Sequence, residues 1–245
     1  MSAHSYSRRA FLGAVGLAAA LRAQHPPEIV HRFVFNEGSH GWLPGFTDYS
    51  LQTGDLRRLA EIRPLPEEIN PSLRGYYLQS MNRSDDIFMF LKKELDSNCG
   101  VEPNRLYSLS LDITFLSNAP SGCAGVGGAP GESVWLKAGF STDEPVAVLQ
   151  DRDVRLSLDK GEQATGGYDA GLVGNIANGV PCEEALSRPG GPPYRVLHRV
   201  YHHPRLIATG DRAALWVFAG TESGFEGLTG VYYYDFLVTL RPLAV

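Results

Sequence analysis

The sequence predicts an all-β protein, an antiparallel β-sandwich of jelly-roll type with long Gly-rich loops and at most one or two short helices. Three observations carry this. Short β-branched and aromatic runs alternate with Gly, Pro, Asn and Asp clusters. Long helical periodicity is almost absent, and nine strand-like runs in one chain point to a sandwich. In order, the expected strands are Ile29 to Phe35, Tyr76 to Ser80, Ile87 to Lys92, Leu106 to Ser117, Val134 to Phe140, Val154 to Leu158, Tyr194 to Tyr201, Ala214 to Ala219 and Val231 to Leu240. Between Leu106 and Phe115 the residues Tyr107, Leu109, Leu111, Ile113 and Phe115 share one parity, and Ser108, Ser110, Asp112 and Thr114 take the other. One face therefore meets a core and the other meets water. The last strand sets Tyr232, Tyr234, Phe236 and Val238 against Tyr233, Asp235, Leu237 and Thr239, is apolar on both faces, and is expected to be central. Leu56, Leu59 and Ala60 suggest about two helical turns within Thr53 to Ile62.

The chain opens with Ser7, Arg8, Arg9, Ala10, Phe11 and Leu12, followed by a short apolar segment to Leu21. A membrane-spanning helix needs roughly 20 apolar residues, so this segment reads as a cleavable signal, with Ala20 or Ala23 as the expected cut. The adjacent arginines resemble the bacterial twin-arginine signal, with Gly13 where a Lys is common. That resemblance implies the twin-arginine export machinery as a partner and a periplasmic or secreted location, with no membrane attachment after signal cleavage. Residues 1–23 are thus a signal peptide and 24–245 a single domain, since no repeat or linker divides the rest.

Losing Arg8, Arg9 and Arg22 from 22 basic residues leaves 19 against 27 acidic ones. Neutralising phosphates takes clustered Lys and Arg, so nucleic acid is excluded as a partner. The three cysteines, Cys99, Cys123 and Cys182, would enter an oxidising compartment. Three pairings are open; Cys123 with Cys182 is favoured because both flank Gly-rich segments.

Phe33 and Phe35 on a first strand, Gly41 and Trp42 after it, the strand from Arg105 to Ser117, and a last strand with Tyr234, Asp235 and Val238 together resemble exported β-sandwich modules of the galactose-binding-like, carbohydrate-binding type. The resemblance implies a jelly roll that binds sugar through loops or a concave face, often with a structural calcium ion.

Four polar segments exceed what turns need. Arg83, Asp85 and Asp86, before the strand at Ile87, have the makings of an ion-paired ligand clamp or of a solvated turn. Ser117 to Glu132 is dense in glycine and delivers Glu132 to a strand entrance, without the Lys and Ser/Thr ending of a phosphate loop. From Asp159 to Asn178, the oxygens of Asp159, Glu162 and Asp169 suit a hard cation such as calcium, with Lys160 and Asn175 as ligand contacts. Gly220 to Gly227 carries Glu222, Phe225 and Glu226 beyond an apolar strand. Glu132 with Glu222 or Glu226 is the carboxylate pair to test for glycoside cleavage, Glu222 being the first choice. His198 and His202 share a strand face but stand about 13 Å apart, too far for one metal. Trp42, Phe46 and Tyr49 form either a sugar-stacking rim or a plug in the core, the latter favoured. The leading expectation is carbohydrate binding at a carboxylate-rich loop end, possible only if these segments converge. The alternatives are a polysaccharide hydrolase or lyase, and a surface-assembly module with no small-molecule site.

Overall fold

The computed structural model describes residues 26–83 and 86–243, so the signal segment and Asp85 lie outside the described residues. Its strands are β1 (Ile29–Val34), β2 (Leu43–Thr47), β3 (Tyr49–Ser50), β4 (Leu59–Pro64) and β5 (Arg74–Met81). There follow β6 (Ile87–Leu95), β7 (Leu106–Ser117), β8 (Val134–Ser141), β9 (Ala147–Gln150) and β10 (Asp153–Leu156). The series ends with β11 (Ala170–Asn175), β12 (Arg195–His202), β13 (Ile207–Ala208), β14 (Leu215–Ser223) and β15 (Leu228–Pro242). The α-helix α1 (Cys182–Ser187) is six residues long. No helix among the described residues is long and apolar enough to cross a membrane.

Two sheets pack face to face. One is ordered β12-β7-β15-β5-β4, with β1 also on β15 and β13 on β7; the other is ordered β11-β8-β14-β6-β2. Strand pairing in both is antiparallel. The core between them joins Leu109, Leu111, Ile113 and Phe115 of β7 to Leu136, Ala138 and Phe140 of β8 and to Val217 and Ala219 of β14. Trp42 is a core plug: its indole meets Phe236 edge-on at 4.8 Å, and Phe35 meets Phe236 at 5.2 Å. Tyr49 lies outside, under the Arg58 guanidinium at 5.1 Å.

All nine expected strands are present, and β15 is central as expected. It lies along β7 on one edge, and on the other it serves β5 with its first part and β1 with its last. A register shift between Tyr233 and Asp235 marks the handover. One extra residue at a bulge inverts the alternation beyond it. Val231 and Tyr233 therefore face the core together with Phe236, Val238 and Leu240, while Tyr232 and Tyr234 join Tyr77 and Leu65 on the outer face. The unbroken parity read from sequence is corrected accordingly.

The helix expected at Thr53 to Ile62 is also corrected. Asp55 Oδ1 accepts the Arg57 amide at 2.8 Å, and Arg57 has φ 48°. That is a side-chain-stabilised turn, and a left-handed residue interrupts a right-handed helix. Beyond it the chain pairs with β5 as β4. The spacing of Leu56, Leu59 and Ala60 imitated a helical face, but Leu56 is buried from the loop while Leu59 and Ala60, half-buried, pack on opposite faces of the strand.

Candidate functional site

The outer face of the five-stranded sheet is covered, and under the cover it holds charge. On β6, β14 and β8 the residues pointing away from the main core include Phe88, Phe90, Phe218, Glu222 and Lys137. Gly45 and Gly220 flank Phe90, where an added Cβ would lie 2.3 Å from the Phe90 ring and from Met89 O respectively. These two positions let the ring lie flat on the sheet. A small third sheet, ordered β3-β10-β9, and the loop between β10 and β11 close over it. Leu156, Ala170 and Leu158 complete the apolar part of the layer.

Into this layer the loop sends Lys160. Its Nζ donates to Glu222 Oε1 at 2.5 Å and to Gly161 O at 3.3 Å, faces Asp48 Oδ2 at 3.6 Å, and stands 5.6 Å from the centre of the Phe88 ring. From below, Lys137 Nζ faces Glu222 Oε2 at 2.5 Å and donates to Lys160 O and Thr165 O at 3.0 and 2.9 Å. Asp48, at the β2–β3 junction with φ 60°, receives the Thr47 hydroxyl at 2.9 Å. Arg155 Nη1 lies 3.7 Å from Asp48 Oδ1.

The result is a quartet of two ammoniums and two carboxylates with almost no exposed surface, Lys137 and Glu222 having none. Burial raises the Asp48 carboxyl above its ordinary range, against the opposing pull of Lys160. Burial likewise lowers the Lys137 ammonium, despite Glu222. In both groups desolvation outweighs pairing.

Above the quartet is a polar cavity of about 360 Å³, lined by Asp48, Asp86, Arg155, Lys160, Glu162 and Glu222. Gln163 Nε2 donates to Asp86 Oδ1 at 2.9 Å and joins the loop to that wall. Asp86, Lys160, Glu162 and Glu222, expected from sequence in three separate segments, thus share one cavity.

The other expected residues lie elsewhere. Arg83 turns to the Asp55 carbonyl, its Nε donating at 2.9 Å. Asn175 Oδ1 accepts the Ala177 amide at 3.2 Å. Asp159 accepts the amides of Gly161 and Tyr168 at 2.9 and 2.8 Å, which hold its carboxyl below the usual range, and Asp169 Oδ2 accepts the Asp159 amide at 2.8 Å. Of the carboxylates expected at calcium, Asp159 and Asp169 thus cap the loop's own backbone, and Glu162 lines the cavity. Among the described residues no group of three or more His, Cys, Asp or Glu side chains is placed to hold a metal ion.

Glu132, Phe225 and Glu226 belong to a second, largely apolar rim. Glu132 Oε1 accepts the Gly122 amide at 2.9 Å, and the Glu226 amide donates to Val126 O at 2.8 Å. Cys123 and Cys182 form the favoured disulfide there, beside a cavity of about 330 Å³ bordered by Ile176, Leu186, Phe225 and Leu228. A Cβ on Gly125 would meet the Phe225 ring at 2.6 Å, and one on Gly127 the Gly224 carbonyl at 2.3 Å. The glycines of this segment serve close packing of loop on loop. Glu132 and Glu222 share no partner: the first is held by the disulfide loop, the second by Lys137 and Lys160.

Sequence reasoning missed Asp48, Lys137 and Arg155 as site residues. Lys137 carried a usable signal, a lone charge inside the apolar run from Val134 to Phe140. Asp48 carries no such signal, being a single acid in the polar stretch between Phe46 and Tyr49.

No family model matches the sequence, and no curated protein matches it. Solved structures of carbohydrate-binding modules are similar to it. TmCBM61, in complex with β-1,4-galactotriose, is 10% identical over 84% of this chain and 92% of its own, with a TM-score of 0.35. TmCBM27, described for specific mannan recognition, is 11% identical over 88% of this chain and 99% of its own, with a TM-score of 0.36. The C-terminal family 22 carbohydrate-binding module of Clostridium thermocellum Xyn10B is 11% identical over 88% of this chain and 96% of its own, with a TM-score of 0.37. The likeness is one of β-sandwich architecture.

Proposed function

We propose that this protein, exported by the signal read at residues 1–23, binds a carbohydrate or similar polyhydroxylated ligand in the cavity above the Asp48–Lys137–Lys160–Glu222 quartet. The observation that carries the reading is the quartet itself. A buried ion network adds little net stability compared with apolar packing, and buried groups with shifted pKa values in a cleft are characteristic of functional sites. Sugar hydroxyls both donate and accept. The buried quartet forms a fixed charged floor, and the accessible Asp86, Arg155 and Glu162 above it offer charge-assisted partners to neighbouring hydroxyls with little reorganisation. Asp86, Arg155 and Glu162 at the rim supply the directions that select among sugars.

Binding is favoured over hydrolysis by the state of Glu222. Its carboxylate has no exposed surface and faces an ammonium at each oxygen. A general base or nucleophile needs a lone pair aimed at the reacting centre.

The test is calorimetric titration of the mature chain with an oligosaccharide panel, with calcium and with a chelator. At least one glycan is expected to bind, and Asp86→Ala and Arg155→Ala, both at the rim, are each expected to weaken it about tenfold. Silence across the panel overturns the reading, as does binding that neither variant changes. A gain in affinity with calcium would assign the cation to this ligand site.

A further inference from the structure

A separate cavity, of about 200 Å³, opens where the end of β8 meets the turn after β12, with Ser141, Tyr168, Asp169, His203 and Arg205 in its walls. The Arg205 guanidinium is stacked on Tyr168, 3.6 Å from the ring centre. Its Nε and Nη2 are buried and have no hydrogen-bond partner among the described residues. Buried N–H groups without acceptors are costly, and a guanidinium is the side chain that takes a carboxylate through two parallel hydrogen bonds.

His203 provides a further donor. The Tyr201 hydroxyl stands 3.0 Å from His203 Nδ1. In the tautomer whose proton sits on Nε2 the hydroxyl donates to Nδ1, and the ring keeps a donor for a ligand. Burial, and then the Arg205 charge, push the imidazole down to about 4, so it is neutral near pH 7. Ser141 Oγ accepts the Asp143 amide at 3.2 Å, which leaves its own proton to be given. Asp169 is the opposing charge in the wall, with its Oδ2 engaged by the Asp159 amide.

We infer that this cavity binds a carboxylate group, carried by a sugar acid or by a small free organic acid, with the Arg205 fork and the His203 ring as its donors. The site shares no lining residue with the cavity above the charged quartet, although the loop that carries Lys160 also carries Tyr168 and Asp169. Asp169 limits its affinity by repulsion.

The experiment follows the His203 ring signals of the mature chain by NMR during titration with D-glucuronate, acetate and glucose. Glucuronate or acetate is expected to shift them saturably, and glucose to leave them in place. Arg205→Gln is expected to weaken binding about tenfold or more, and Asp169→Asn, which can still accept the Asp159 amide, to strengthen it. Tighter binding of glucuronate than of acetate assigns a sugar acid; equal binding assigns a small organic acid. No shift with either acid overturns the inference, and so does binding that survives Arg205→Gln. Should Arg205→Gln fail to fold, Arg205→Lys keeps the charge but not the fork, and the same loss is required of it.

Discussion

Replacing Glu222 by Gln keeps the shape of the side chain and removes one charge from the quartet. Two ammoniums then face an amide: Lys137, without exposed surface, and Lys160, nearly so. Removing one partner of a buried ion pair costs about 3–5 kcal/mol, because the remaining charge is stranded in a poorly hydrated place. Asp48 still stands 3.6 Å from Lys160, so the lower end, about 3 kcal/mol, is expected. In a domain of this size that is a fall in Tm of roughly 6–12 °C. The paired change Lys137→Met with Glu222→Leu removes a plus and a minus together and fills similar volume, and it should be near neutral or stabilising. Urea unfolding followed by circular dichroism measures both. A loss below about 1 kcal/mol for Glu222→Gln would refute the reasoning, since it would mean that water already reaches the carboxylate.

Two further outcomes test the surroundings of the sites. His203 has a folded-state pKa of about 4, below its ordinary 6.5, so the native state binds fewer protons than the unfolded chain between those values. Stability should therefore fall as pH drops from about 6.5 to about 4, by about 3 kcal/mol from this residue, and the difference between wild type and His203→Phe in acid unfolding should show it. Reducing Cys123–Cys182, which closes a separation of 59 residues, should cost about 4 kcal/mol on a loop-entropy basis, measurable as a lower urea midpoint in Cys123→Ser.

What could be read before folding follows from how local each feature is. The β7 alternation, Tyr107 through Phe115, is a property of consecutive residues, and its apolar face is buried as read, while on the polar face Ser108, Asp112 and Thr114 are half-buried and Ser110 is buried. The β15 pattern fails past Tyr233 because a bulge is a property of two paired strands. Leu56, Leu59 and Ala60 fitted a helical spacing that the Asp55–Arg57 turn forbids. The quartet is assembled by topology alone: Asp48 leaves β2, Lys137 stands on β8, Lys160 hangs from the covering loop and Glu222 ends β14. The segments of Lys160 and Glu222 stand out as polar excess, those of Asp48 and Lys137 do not, and nothing local reveals that the four meet. The segments do not converge on one rim as expected. Asp86, Lys160, Glu162 and Glu222 share the charged cavity, while Glu132, Phe225 and Glu226 gather at the disulfide.

The central claim is that ligand enters above the quartet. An amide NMR titration with the best-binding oligosaccharide separates the two cavities directly. Signals of Asp86, Lys160, Gly161 and Glu162 should move together and saturate, while those of Ala124, Phe225 and Gly230 stay still. Movement confined to the disulfide rim, with the Lys160 loop unchanged, would contradict it.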